Sequence, residues 1–218
     1  MVDVLKGLRI VGEWALIIAV AFGLSMLLRT FVVDVRIVPT GSMIPTIQEQ
    51  DRVVVDRLFY KMGSLERGDI IVFKAPERAE LADHRGDDLV KRLIGLPGEK
   101  VEIKDGYAWI NDRALNETYA FLRDGSDNGT KRQYGPVLVP EGCYFVMGDN
   151  RDGSNDSRSW GFLDQKLVIG RIWIRHWPFD RFGPLAKPPV DYFLSEGVNP
   201  DPVFTNSMEV GQDNNSIL

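Results

Sequence analysis

Residues 1–9 form a short charged lead in which Lys6 and Arg9 stand against Asp3. From Trp14 to Leu28 no residue carries a charge, and counting outward to Ile10 and Val33 gives 24 largely apolar positions. At ~1.5 Å per residue this is enough for a tilted transmembrane helix. Glu13 and Arg29 fall near its ends, where long side chains reach the headgroups. Ala19-Val20-Ala21 has the small-residue form of a leader cleavage site, but the apolar run continues past it and the lead is barely basic. The stretch 10–33 is therefore read as a retained anchor. Lys6 and Arg9 on one side face Arg29 and Arg36 on the other, so charge bias alone does not orient it.

Past Pro45 the apolar positions fall into short β-branched runs. Arg52 to Leu58 and Asp69 to Lys74 read as strands, separated by a segment, Lys61 to Gly68, with turn residues at both ends. Pro76 to Asp88 is dominated by charge and reads as an exposed loop. Val101-Glu102-Ile103 and Tyr107 to Ile110 flank the turn Lys104-Asp105-Gly106, a hairpin signature. Residues 111–136 are polar and rich in Gly, Asn and Asp, after which Val137 to Val139, Tyr144 to Met147 and Leu167 to Arg175 resume the strand pattern. Over 184–218, five prolines and many Asn, Asp and Ser leave no periodic apolar pattern, which predicts a flexible tail there. The expectation is a mostly β protein behind one helix.

Composition narrows this only slightly. Charged residues make up 26% and the net charge is −5, so no basic surface for nucleic acid is indicated. The single cysteine, Cys143, excludes an intramolecular disulfide and reads as a buried strand residue. His84 lies among Asp83, Asp87 and Asp88, but the spacing fits no standard ligand set, so no metal or other cofactor is expected.

Candidate chemistry lies in three stretches. In Pro39-Thr40-Gly41-Ser42-Met43-Ile44-Pro45-Thr46, Gly41 permits backbone angles forbidden to a side chain and the prolines fix φ on either side. The loop presents one hydroxyl, Ser42; taken alone it is equally an ordinary turn. A serine becomes a nucleophile only beside a base. The second stretch, Asp88 to Glu99, sets Lys91 inside a strand-like run, and alternation sends Leu89, Lys91 and Leu93 to one face. If that face is interior, desolvation lowers the lysine pKa and frees it to act as a neutral base. The third, Met147 to Arg158, is dense in hydrogen-bonding and charged groups.

In this order and spacing, the three stretches closely resemble the serine box, lysine box and Gly-Asp-Asn-Arg-Asp box of bacterial type I signal peptidases over roughly residues 10–183. These are membrane-bound Ser-Lys proteases. The resemblance implies a barrel-like antiparallel catalytic domain over 34–183, with a short variable insertion at about 111–136. It implies cleavage of signal peptides from exported preproteins after small residues at positions −1 and −3. It further implies a single-pass protein of the bacterial cytoplasmic membrane, N-terminus inside, with its catalytic domain on the outer face, in contact with the lipid bilayer and near the secretion translocon.

The same resemblance assigns Ser42 as nucleophile and Lys91 as general base, and Thr40 together with the Ser42 N–H as oxyanion donors. Ser154 corresponds to the serine that orients the lysine amine, Met43 to a residue lining the substrate pocket, and Asp156 with Arg158 to a structural ion pair. Asp149 and Asn150 belong to the structural part of the third box. Met43 is equally a core methionine, and Gly153 departs from the asparagine common in the family. Competing readings are a Ser-His enzyme using His84 or His176, a self-cleaving Ser-Lys protease of the repressor type, and a membrane-tethered β domain that binds peptides without cutting them. The cluster Trp173, Trp177, Phe179 and Phe182, with Trp160 and Phe162, either closes the core or rests on the bilayer.

Overall fold

A computed structural model describes residues 2–31, 33–58, 60, 63–80, 88–123, 132–185 and 187–188. The apolar N-terminal segment forms one helix, α1 (Val2–Phe31), which takes in the charged lead as well. Side chains at positions 12–26 are exposed all round, including Trp14, Ile17, Phe22 and Met26. Among the described residues no helix is long and apolar enough to cross a membrane.

The remainder is β structure. Its strands are β1 (Val33–Ile37), β2 (Arg52–Asp56), β3 (Ile70–Lys74), β4 (Asp88–Gly95), β5 (Lys100–Lys104), β6 (Tyr107–Ile110) and β7 (Arg113–Ala114). They continue with β8 (Tyr134–Leu138), β9 (Cys143–Met147), β10 (Leu163–Asp164), β11 (Val168–Trp177) and β12 (Gly183–Pro184). The larger sheet runs β1-β2-β11-β3-β4-β9-β10, with β12 beside β11, and the smaller runs β7-β6-β5-β8. All these strand pairs are antiparallel. The barrel-like expectation is corrected here: the large sheet is an open path from β1 to β10, and no pairing among the described residues closes it. It does curl, because Arg36 on β1 reaches Asp88 on β4 at 2.8 Å although β2, β11 and β3 lie between them.

Burial on both faces explains the apolar runs of the central strands. Ile70 and Val72 of β3 pack into one core with Val38, Met43, Ile47, Val53, Val55 and Ile172. Ile71 and Phe73 enter a second core with Leu93, Val146, Trp160 and Leu163. Successive side chains alternate across a strand, so β3 is the wall between two cores. The predicted hairpin is present as β5 and β6, and Val101, Ile103, Ala108 and Ile110 fill a third core with Phe145 and Met147.

Several boundaries differ from expectation. The charged stretch after Pro76 begins with a helical turn, Glu77–Glu80, held by buried Ala79, and Asp88 already belongs to β4. Residues 81–87, with His84, lie outside the described residues, as do 124–131 of the predicted insertion. Pro184, the first residue of the predicted tail, pairs with Ile174 as Gly183 before it pairs with Arg175, while residues from 189 onward lie outside the described set. Cys143 is half-buried at the mouth of β9 rather than fully enclosed, and burial pushes its thiol up.

Candidate active site

The loop between β1 and β2 is closed at its base by Val38 N–H donating to Asp51 O at 2.9 Å and Gln50 N–H to Val38 O at 2.8 Å. Inside it, Gly41–Met43 forms one 3-10 turn, tied down by Ile47 N–H on Met43 O at 2.9 Å. Gly41 does not use the left-handed backbone that its sequence position suggested. A Cβ there would instead lie 2.9 Å from Ile44 Cδ1 and 3.1 Å from Glu49 Oε1, so its role is spatial. The turn buries Met43 completely and leaves Ser42 only 7% exposed.

Lys91 comes from β4, its backbone in register with Ile71 of β3. It is 3% exposed, and its Nζ donates to Ser42 Oγ at 2.7 Å and to Val90 O at 3.0 Å. The alternation of β4 is legible in its surroundings, with Leu89 and Leu93 in one core and Val90 against the other. Burial lowers the Lys91 pKa from 10.5 to about 8; the carboxylates of Asp156 and Asp149 oppose the shift and Arg158 adds to it. Thr40 is exposed, with Oγ1 3.4 Å from Ser42 Oγ.

The third box supports both residues. Asp149 accepts from Arg92 Nε at 2.8 Å and Nη2 at 2.6 Å in a fully buried two-point pair. Asp156 is held the same way by Arg158, at 2.9 and 2.8 Å, and also accepts from the Gly148 N–H at 3.0 Å. Burial alone would raise the Asp156 carboxyl, but Arg158, the Gly148 N–H and the Ser154 hydroxyl hold it below the usual range. Ser154 is thus found buried against Asp156, while the hydrogen bonds Lys91 donates go to Ser42 and Val90. Gly148 spaces these parts: a Cβ on it would lie 2.4 Å from Ser154 Oγ and 2.5 Å from Ser42 O. Asn150 bonds to the serine loop directly, through its N–H to Ser42 O at 3.1 Å and its side-chain amide to Gly41 O at 3.2 Å.

Two contributors were not singled out from the sequence. Arg92 could have been suspected, because it follows Lys91 within a buried run and needs an anion. Glu117 carried no such signal. It sits in a stretch that reads as polar loop, yet it is buried, binds both Arg151 Nη atoms at 2.8 and 2.6 Å, and accepts from Tyr119 and the Ala108 N–H. Arg92 stacks 4.0 Å above the Tyr119 ring, which links the two ion pairs. Of the two histidines, His176 lies on β11 and His84 lies outside the described residues.

Comparisons with known proteins place the chain in a family. A family model described as signal peptidase, peptidase S26, matches residues 11–177. A probable signal peptidase I-2 of Synechocystis sp. is 40% identical over 163 residues, which cover 75% of this chain and 72% of that protein. The signal peptidase I of Leptolyngbya laminosa is 37% identical over 186 residues, 85% of each chain. Among solved structures, a signal peptidase I from Enterococcus faecalis V583 is 39% identical, with a TM-score of 0.42, covering 50% of this chain and 97% of that one. The chain belongs to the signal peptidase family, peptidase S26.

Proposed function

We propose that this chain is a membrane-bound serine endopeptidase that removes N-terminal signal peptides from exported preproteins, with Ser42 as nucleophile and Lys91 as general base. The observation that carries this reading is the 2.7 Å contact between the buried Lys91 Nζ and the buried Ser42 Oγ. Once neutral, the amine accepts the serine proton as Oγ attacks the scissile carbonyl carbon. The resulting oxyanion is stabilised by the Ser42 N–H and the Thr40 hydroxyl. The lysine then passes its proton to the leaving amine, giving an acyl-enzyme and a free mature N-terminus. A water deprotonated by the same amine hydrolyses the ester. Met43, next to the nucleophile, is wholly buried in the core and supports the serine loop from below; the cut follows small side chains at positions −1 and −3.

In this reading residues 10–33, which take in most of α1, are the anchor, 1–9 the cytoplasmic lead, 34–183 the protease domain and 184–218 a tail. Apolar side chains exposed all round α1 between positions 12 and 26 support the anchor, since a helix lying on a protein surface in water hides one face. The fifteen positions with described side chains are shorter than the ~20 needed to span a bilayer, but the sequence continues apolar at Ile10, Val11, Leu27 and Leu28. Val35 and Ile37 on β1, directly after α1, are exposed, as are Trp173, Trp177, Phe179 and Phe182. Ile37, Arg52 and Trp177 share one row of the sheet, at the end of β1 away from α1, and this exposed aromatic edge suits the headgroup region. Trp160, by contrast, is core, tilted against Phe73 at 6.1 Å. The catalytic domain then stands on the outer face of the bacterial cytoplasmic membrane, beside the translocon that delivers its substrates.

The test is a purified preprotein incubated with the full chain and with Ser42→Ala. Cleavage after the small residue at −1 by the first and none by the second is expected; equal cleavage by both would remove Ser42 from the mechanism. A chain beginning at Val32 is expected to retain binding to lipid vesicles through the aromatic face, and loss of all binding would leave α1 as the only membrane contact.

A further inference from the structure

Asn150 touches both peptide units that flank Ser42. Its backbone N–H donates to Ser42 O at 3.1 Å, and its side-chain Nδ2 donates to Gly41 O at 3.2 Å. The Gly41 carbonyl belongs to the same planar unit as the Ser42 N–H, and in a trans peptide the two point in opposite directions. Fixing the oxygen at one end therefore aims the hydrogen at the other. A hydrogen bond accepted by the carbonyl also polarises the amide and strengthens the N–H as a donor. Asn150 itself is fixed in turn, because its Oδ1 accepts from the Gly153 N–H at 3.1 Å.

Gly153 is what permits this arrangement. A Cβ there would stand 2.6 Å from Asn150 Nδ2 and 3.0 Å from its Cγ, inside contact distance, so the amide would have to turn away from Gly41. We infer that Asn150 is a positioning residue for the oxyanion-binding N–H of Ser42, and that glycine at 153 is the feature of this chain that lets its side chain reach Gly41. The inference rests on the Ser42–Lys91 reading above. It assigns Asn150 no contact with substrate: it acts through the Gly41–Ser42 peptide.

The experiment compares initial rates of the full chain in detergent micelles on a signal-peptide substrate. Asn150→Ala is expected to lower kcat by about 10²-fold, the loss typical of a displacement of ~1 Å at a reacting centre. KM and the pH of the rising limb stay where they are, since neither the substrate pocket nor Lys91 is touched. Asn150→Asp keeps the shape and the Gly153 contact but loses the Nδ2 donor, so it falls similarly; it serves as the folded probe where the alanine variant unfolds. Gly153→Ala also lowers kcat, but adds nothing in the Asn150→Ala background, because the amide it displaces is already gone. Wild-type kcat in Asn150→Ala or Asn150→Asp overturns the inference, as does a Gly153→Ala effect that is fully additive. A rise in KM with a matching loss of thermal stability and unchanged kcat also overturns it, because that marks a role in the fold alone. Ser42→Ala, run alongside, separates the two levels: activity in that variant removes the catalytic reading, whereas an inactive Ser42→Ala beside a fully active Asn150→Ala removes only the positioning role.

Discussion

Replacing Asp156 by asparagine is expected to move the rising limb of the pH–rate profile toward lower pH. Lys91 is the group that titrates. Its fall from 10.5 to about 8 corresponds to about 3 kcal/mol of bias toward the neutral amine. At pH 7 about one enzyme in ten then holds a neutral base, against fewer than one in ~10³ for an unperturbed lysine. In the parent chain kcat/KM should rise about tenfold per pH unit and level off above about 8. The Asp156 carboxylate opposes the effect of burial, while Arg158 assists it. Removing the carboxylate charge while the Arg158 guanidinium stays lets the amine lose its proton more readily, by on the order of one pH unit, the lower end of what a close opposite charge contributes. The assay is kcat/KM measured across the pH range, with thermal unfolding followed on the same samples because a buried pair has been broken. A limb near 10.5 in the parent chain, or one that moves upward in Asp156→Asn, would refute the reasoning. Stability carries the same signature. The folded pKa lies below the unfolded one, so the penalty for burying the ammonium is fully present below about 8 and is lost as pH rises toward 10.5. Lys91→Met should therefore be inactive yet more stable near neutrality, with a margin that narrows across that window.

Thr40→Val, which keeps the shape and removes the hydroxyl, is expected to lower kcat by ~10²–10³ while Thr40→Ser stays active; equal rates for Thr40→Val and the parent would take Thr40 out of the site. Gly148→Ala places a methyl 2.4 Å from Ser154 Oγ and 2.5 Å from Ser42 O, so cleavage should be lost with only a moderate fall in Tm, and an active variant would show that the turn yields easily. Asp149→Ala leaves the Arg92 guanidinium buried without its partner, which should lower the unfolding free energy by about 3–5 kcal/mol in denaturant titration.

What the sequence makes legible is local. The β-branched runs, the hairpin around Asp105-Gly106 and the helix through Trp14 to Leu28 all announce themselves through period and turn residues. Lys91 is legible as buried because its neighbours Leu89 and Leu93 are apolar at the same parity. What stays hidden is pairing between distant segments. Nothing in residues 111–123 signals that Glu117 is the partner of Arg151, 34 residues on, because an acidic residue in a polar stretch is normally solvated. The curl that joins Arg36 to Asp88 but stops short of a barrel depends on twist summed over five strands, which no short window encodes. The aromatic cluster divides for the same reason: Trp160 turns inward onto Phe73, whereas Trp173 and Trp177 face out from a strand whose register shifts between Ile172 and Ile174 and again between Arg175 and Trp177.

The central claim is that Ser42 and Lys91 act as one unit. Its most direct test is the rate of preprotein cleavage by Ser42→Ala, Lys91→Ala and the double variant, each confirmed folded by its unfolding transition. Nucleophile and base acting together predict that either single change abolishes cleavage and that the double variant is no worse than either one. Substantial cleavage by Lys91→Ala, or a double variant whose loss is the product of the two single losses, would contradict the account and return attention to His176 and His84.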